Sequence, residues 1–174
     1  ITTPNVKLYF DIKNELLTCN VILMYKDTEI NYFDKVNIIR NREYEQGIIN
    51  DLTSKNFKIE NKIFIDSLDE IAQFIETDLF YFSNKYEVFT TKKFDETNII
   101  KSSRIESQFS IGQDNIMSYN FNIEDINLNE LGNIFLNLKE KKKYYKLKNG
   151  NILNLENNNE LNELQNLMED LDLN

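Results

Sequence analysis

The chain has 174 residues, a net charge of −9 and 41% hydrophobic residues, including 12 phenylalanines and 9 tyrosines. This composition argues against intrinsic disorder, and the length is sufficient for a domain with a real core. The acidic balance argues against a protein that wraps nucleic acid over most of its surface. We expect a single α+β domain over residues 1–174, with residues 91–98 as the place for an internal boundary.

The residue types that most often carry chemistry are scarce. The chain has no histidine and one cysteine, Cys19, which excludes Cys/His zinc sites and Cys/His nucleophiles. Its four glycines stand far apart, so there is no G-x-x-x-x-G-K-[ST] phosphate loop. Asp66 and Asp69 could in principle form an acid–base or magnesium-binding pair, but nothing in the sequence sets them apart from the other carboxylates. We predict no catalytic, cofactor or metal site.

Nothing in the sequence predicts a membrane partner. No apolar stretch approaches the roughly 18 residues of a membrane-spanning helix, and no charged-then-apolar leader opens the chain. The chain begins at Ile1 and not at methionine, which we interpret as a piece of a longer polypeptide. We expect a cytoplasmic fragment.

The first third predicts strands followed by a helix. Apolar and polar residues alternate from Val6 to Lys13, the period of a half-buried strand. The more continuously apolar run from Leu16 to Tyr25 predicts a central strand buried on both faces, and a short strand is expected at 30–34. Helical spacing then begins after Asn41, which is placed as the cap of a helix that ends near Ser54.

The middle third predicts a strand at 62–66, a helix and a strand at 87–90. Ser67 and Glu70 have the spacing of a capping box at the start of the helix. Apolar residues then recur at helical intervals, which is typical of a core-facing stripe: Ile71, Phe74, Ile75, Leu79 and Phe82. The polar stretch TKKFDETN, residues 91–98, is expected to be an exposed connection.

From residue 103 onwards the order is hairpin, helix, hairpin, helix. Alternation over 105–111 and 117–123 predicts an antiparallel hairpin around Gly112. A helix is expected from Asn127 to about Lys142, with Asn127 and Glu130 at capping-box positions and a buried side formed by Leu128, Leu131, Phe135 and Leu138. Antiparallel hairpins that alternate with amphipathic helices packed on the sheet are therefore the predicted architecture.

The second hairpin centres on Asn149-Gly150, the strongest short hairpin signal in a sequence. We predict a two-residue type I′ turn, which requires positive φ at both residues and pairs Leu147 with Ile152. Both faces of the resulting ribbon then carry apolar residues, so the ribbon should be covered on more than one side.

A basic and aromatic run precedes this turn. Residues 139–148 hold six lysines and one glutamate, whereas residues 149–174 hold six acidic residues and no basic one. The simplest interpretation is two solvated faces that partly neutralise each other. The candidate functional residues are five lysines, here called the lysine cluster, and the two tyrosines between them: Lys141, Lys142, Lys143, Lys146 and Lys148, with Tyr144 and Tyr145.

This order of features resembles a known family. The lysine run, two tyrosines, basic-apolar-basic strand, Asn-Gly turn and leucine-rich helix are similar to the end of the bacterial helicase-associated domain. That domain precedes the motor in bacterial Swi/Snf-type ATPases of the DEAD/DEAH-like superfamily. The resemblance is best over Leu128 to Leu171 and is weaker over the earlier strands and helices.

The resemblance implies a non-catalytic accessory or regulatory domain, placed before the two RecA-like lobes that bind ATP and magnesium in the parent protein. It implies those lobes as the partner and supplies no catalytic residues for this chain. One alternative is a weak nucleic-acid-binding module, with the lysine cluster on phosphates and Tyr144 or Tyr145 stacked on a base. A second alternative is a stand-alone protein-interaction domain.

Overall fold

The structure, a computed structural model, describes residues 2–171 apart from the side chain of Tyr119. Contacts divide the chain into two units, which we call unit 1, residues 1–97, and unit 2, residues 98–174. The division falls between Thr97 and Asn98, inside the segment 91–98. That the chain behaves as a single domain stays a prediction.

Unit 1 is built on one mixed sheet. Its strand order is β4-β5-β2-β1-β6, and β3 also pairs with β2. The β1–β6 pair is parallel, whereas the other pairs are antiparallel. The strands are β1 (Asn5–Lys13), β2 (Leu16–Tyr25), β3 (Thr28–Asn31), β4 (Lys58–Ile59), β5 (Ile63–Ile65) and β6 (Glu87–Thr90).

The helices of unit 1 begin at the polar caps that their sequences supply. Asn41 and Ser67 accept backbone hydrogen bonds at the starts of α1 (Arg42–Ser54) and α2 (Leu68–Gln73), as predicted. A π-helical turn, Phe74–Asp78, joins α2 directly to α3 (Leu79–Lys85). The wider turn shifts the helical register, so Ile75 and Leu79 of the predicted stripe are only half-buried while Phe74 and Phe82 are fully buried.

Aromatic rings fill the core of unit 1. Phe10 on the inner face of β1 lies 4.8 Å from Phe74 and 5.8 Å from Phe82, measured between ring centroids. Phe57 and Phe94 pack on the same group. The alternation of β1 and β2 explains this arrangement, because every second residue of each strand points inward.

Three predictions in unit 1 need correction. The strand β2 is central, but only one of its faces is fully buried; on the other face Asn20 is exposed. The strand predicted at 30–34 runs instead from Thr28 to Asn31. The segment 91–98 is not wholly an exposed connection, because Thr91 caps a short helix, α4 (Lys92–Asp95), that buries Phe94.

Unit 2 contains a three-stranded sheet and a separate two-stranded ribbon. The sheet has the order β10-β11-β7, with β11 antiparallel to β10 and parallel to β7, and β8 pairs with β9 as the ribbon. Its elements are β7 (Ile99–Ile100), β8 (Ile105–Ile111), β9 (Met117–Ile123), a 3-10 turn (Leu128–Glu130), α5 (Leu131–Lys139), β10 (Tyr144–Lys146), β11 (Ile152–Asn154) and α6 (Asn159–Asp170).

The core of unit 2 is aliphatic. Its buried residues come from the base of the ribbon, from α5, from the β10–β11 hairpin and from α6: Ile123, Ile126, Leu131, Ile134, Leu147, Leu153, Leu155, Leu161 and Leu164. Leu128, which we predicted on the buried side, is exposed because it lies in the 3-10 turn ahead of α5. Ile134 occupies the buried position instead.

The α+β class is confirmed, and both predicted hairpins of unit 2 are present. The parallel pairs β1–β6 and β7–β11 were not predicted. Parallel pairs join strands that are distant in sequence, and no local turn signal announces them.

Candidate functional site at the lysine-rich hairpin

The first lysines of the cluster follow a sharp helix end. The backbone N–H of Lys141 donates to the carbonyl of Leu138 at 3.1 Å, and that of Lys142 donates to Asn137 at 3.0 Å. Together with φ of +57° at Lys141, these bonds form a Schellman motif, in which the left-handed position is usually glycine. The helix therefore ends at Lys139 and not near Lys142 as predicted.

The hairpin turn has three residues where we predicted two. The backbone N–H of Gly150 donates to the carbonyl of Leu147 at 2.9 Å, and Leu147 itself pairs with Asn151. Lys146 consequently lies opposite Ile152, one residue away from the predicted register. The predicted positive φ is confirmed at Gly150, at +94°, but not at Asn149. A three-residue loop needs one left-handed residue at its end, and only glycine adopts that φ without strain.

Glu130 connects the hairpin to the start of α5 through side-chain hydrogen bonds. Its side chain is buried, and Oε1 accepts a 2.9 Å hydrogen bond from the backbone N–H of Lys148 and a 3.5 Å one from the hydroxyl of Tyr145. The predicted capping box is thus only half formed: Asn127 caps the turn through Asn129, whereas Glu130 reaches the hairpin. Sequence spacing missed this role because the partner lies 18 residues away.

The two tyrosines lie on opposite faces of the hairpin. Tyr145 pairs with Leu153 and packs against the aliphatic core, close to Glu130. Burial and the negative charge of Glu130 raise the pKa of the Tyr145 phenol. Tyr144 lies on the other face and is half-buried. Tyr145 is therefore part of the structural framework, and a stacking role would fall to Tyr144.

The lysine cluster is largely in solvent. Lys141, Lys142, Lys143 and Lys148 are exposed, and Lys146 is half-buried. Among residues 2–171 none of the five forms a salt bridge; the neighbouring Lys139 does, with Glu169 at 3.4 Å. Both groups of that pair are about half exposed, so the pair adds little stability.

A shallow groove of about 330 Å³ runs beside the first three lysines. It is lined by Leu138, Lys141, Lys142, Lys143, Leu155, Glu156 and Asn162. The lining thus combines two leucines with three lysines, one asparagine and one carboxylate. This combination suits an acidic or mixed protein surface at least as well as it suits a phosphate backbone.

A buried asparagine, Asn158, was missed by the sequence analysis. It caps α6 by accepting from the N–H of Leu161 at 3.2 Å, and its amide donates to Ser103 Oγ at 3.0 Å. This ties the acidic helix α6 to the segment before the ribbon. The sequence signal was an asparagine just before a leucine-periodic stretch, hidden within the run of three asparagines at 157–159.

The described part of the chain offers little for other kinds of site. In residues 2–171 no group of three or more histidine, cysteine, aspartate or glutamate side chains is placed to hold a metal ion. No helix within this range has the length and apolar character needed to cross a membrane.

Comparison of the whole sequence with known families extends the resemblance beyond the hairpin. Residues 2–174 match the model of the family described as bacterial SNF2 helicase associated. The chain belongs to this family. The match covers both units of this SNF2-associated protein, whereas the sequence resemblance was strongest only over Leu128 to Leu171. No curated protein and no solved structure matches the chain.

Proposed function

We propose that this SNF2-associated chain is a non-catalytic accessory domain of a bacterial, cytoplasmic SNF2-type DNA-dependent ATPase. It would precede the RecA-like motor lobes, which would carry the ATP and magnesium chemistry, and it would regulate them by docking. The family match over residues 2–174 carries this proposal.

The environments of the ionisable groups support a non-catalytic role. Burial raises the pKa of the Cys19 thiol and so disfavours the reactive thiolate. Asp66 is paired with Lys58 at 2.9 Å, which occupies one member of the Asp66–Asp69 pair. Burial alone would raise the pKa of Asp51, but hydrogen bonds from Lys85 and Tyr86 lower it. Asp51 and Asp66 are thus engaged in structural ion pairs, and Cys19 is buried in the core.

The lysine cluster is the proposed docking surface. Its ammonium groups have no salt-bridge partner among residues 2–171, and three of its lysines line a groove that also contains Leu138 and Leu155. Acidic residues of α6 lie close enough for the 3.4 Å pair between Lys139 and Glu169. A polyanion such as DNA would be repelled by that acidic helix and by a chain of net charge −9. A protein partner, in contrast, can present acidic residues to the lysines and basic residues to the helix.

The test is charge reversal in the full-length polypeptide. Lys141→Glu, Lys142→Glu and Lys143→Glu together should change the DNA-stimulated ATPase rate by about 5-fold or more, the lower range of an allosteric coupling. A matched control reverses three exposed lysines outside the cluster, Lys13, Lys35 and Lys101, for the same change in net charge. An unchanged rate in the cluster variant, or an equal change in the control, contradicts docking through this surface.

The weak nucleic-acid-binding module is the second candidate, favoured by the exposed lysines and the half-buried Tyr144. It predicts that the 174-residue chain retards duplex DNA at low salt, with the log–log salt dependence flattened by about one unit for each lysine contact removed. Docking predicts no measurable retardation. Retention that is lost in the cluster variant and kept in the control would favour the nucleic-acid function.

A further inference from the structure

The β8–β9 ribbon of unit 2 carries one largely apolar face, on which Ser107 is a polar residue. The strands pair in register from Ile105 opposite Ile123 to Ile111 opposite Met117. The base of this face belongs to the core, since Ile123 is buried and Ile105 and Phe121 pack against it. The apolar face then continues past the core into the distal half of the ribbon.

The distal half presents its apolar side chains to solvent. Ile111 is 72% exposed, Met117 66% and Ile116, in the connecting loop, 63%. Phe109 on the same face is 55% exposed. Contiguous exposed apolar side chains on a folded protein usually mark a surface that another molecule covers.

The ribbon also lacks the charges that normally protect an exposed strand pair. Between Glu106 and Glu124 the one charged residue is Asp114, in the loop. Folded proteins commonly place lysines or other charges on such strands to prevent association. The absence of any cation between these positions also makes the ribbon unsuited to a phosphate backbone.

The ends of the ribbon are acidic. Glu106, Glu124 and Asp125 lie at the base and Asp114 at the tip, against a single arginine, Arg104, whose guanidinium is 3.8 Å from Glu106. A second copy of the chain would bring acidic ends and two net charges of −9 together. The complementary surface is an apolar groove with a basic rim.

We propose that the distal apolar face of the ribbon docks into an apolar, basic-rimmed groove on a motor lobe of the SNF2 helicase polypeptide. This inference rests on the proposed accessory function and gives it a second contact, separate from the lysine cluster. The ribbon supplies the apolar contact and its acidic ends fix the orientation.

Hydrogen exchange tests this docking in the full-length polypeptide. The backbone amides of residues 107–122 should exchange about tenfold or more slowly there than in the 174-residue chain. The variant Ile111→Ser, Ile116→Ser, Met117→Ser should restore fast exchange. The control Gln108→Ser, Asn120→Ser alters the opposite face of the same ribbon and should keep the slow exchange. Because the three apolar residues are mostly exposed, the triple variant should have the same melting temperature as the wild type. If its melting temperature is lower, the single variant Met117→Ser replaces it in the exchange experiment.

If residues 107–122 exchange at equal rates in the wild-type full-length polypeptide and in the wild-type 174-residue chain, the ribbon proposal is overturned. If the lysine reversal nevertheless changes the ATPase rate, the accessory function stands and only the ribbon contact fails. If neither effect is seen, the accessory function fails as well. Slow exchange that accompanies a dimer in sedimentation, in the 174-residue chain or in the full-length polypeptide, would identify a second copy as the occupant and overturn the motor groove.

Discussion

Glu130 shows how one side chain can organise a surface that it does not itself belong to. Its carboxylate satisfies the N–H of Lys148 and meets the hydroxyl of Tyr145, while its backbone starts α5. The position of the lysine cluster therefore depends on a residue that lies outside it. Spacing predicted a local cap for Glu130, because a sequence shows neighbours along the chain and not partners across a fold.

Replacing Glu130 by alanine should destabilise the chain by about 1–3 kcal/mol, because the part-buried N–H of Lys148 loses its acceptor. Glu130→Gln keeps an acceptor oxygen at the same place and should cost less. Urea denaturation of the two variants measures the difference. Equal losses in the two variants would show that the hydrogen bond contributes nothing to stability.

At the scale of elements, local sequence patterns predicted the strands and helix caps whose causes lie within a few residues. The alternation along β1, β2, β8 and β9 and the caps at Asn41 and Ser67 have physical causes within a few residues, and each was predicted from the sequence. The π-helical turn at Phe74–Asp78 and the parallel pairing of β7 with β11 were not. Both are set by tertiary packing, which local propensity does not encode.

The sequence identified the residues of the candidate site but not their exact arrangement. The lysines and the hairpin were located from the sequence, but the register was wrong by one residue, since Asn-Gly suits both a two-residue loop and the end of a three-residue loop. That Tyr145, rather than Tyr144, faces the aliphatic core followed only from the structure.

The hairpin turn yields a prediction that is independent of side-chain packing. Gly150→Val should destabilise the chain by about 1 kcal/mol or more, because φ is +94° there. A Cβ at Gly150 would meet no atom within 4 Å, so the cost comes from the backbone alone.

Gly47 in α1 is the matched control for this prediction. It also has nothing within 4 Å of an added Cβ and lies inside a helix. Gly47→Ala should therefore stabilise the chain by about 0.5–1 kcal/mol. Thermal or urea unfolding measures both variants, and a Gly150→Val variant as stable as the wild type would contradict the turn geometry.

At the scale of the whole molecule, we predict that the 174-residue chain neither binds nor hydrolyses ATP. The sequence has no phosphate loop, and the carboxylates of Asp51 and Asp66 are engaged in ion pairs with Lys85 and Lys58. Titration calorimetry with ATP and magnesium should show no saturable heat, and phosphate release should equal that of buffer. Binding that unlabelled nucleotide displaces would require a nucleotide site in this chain.

The parallel strand pairs have a consequence for how the molecule is made. In unit 1 the first strand, β1, is joined by β6, and in unit 2 the first strand, β7, is joined by β11. Each sheet is thus closed by its last strand, so neither can be completed until nearly all of its unit has left the ribosome. Translation proceeds at about 5–20 residues per second, and the strands of unit 1 are all present once residue 90 has emerged. Unit 1 can therefore complete its strand pairing before the lysine cluster and α6 have emerged, whereas unit 2 completes its own sheet only once residue 154 has emerged.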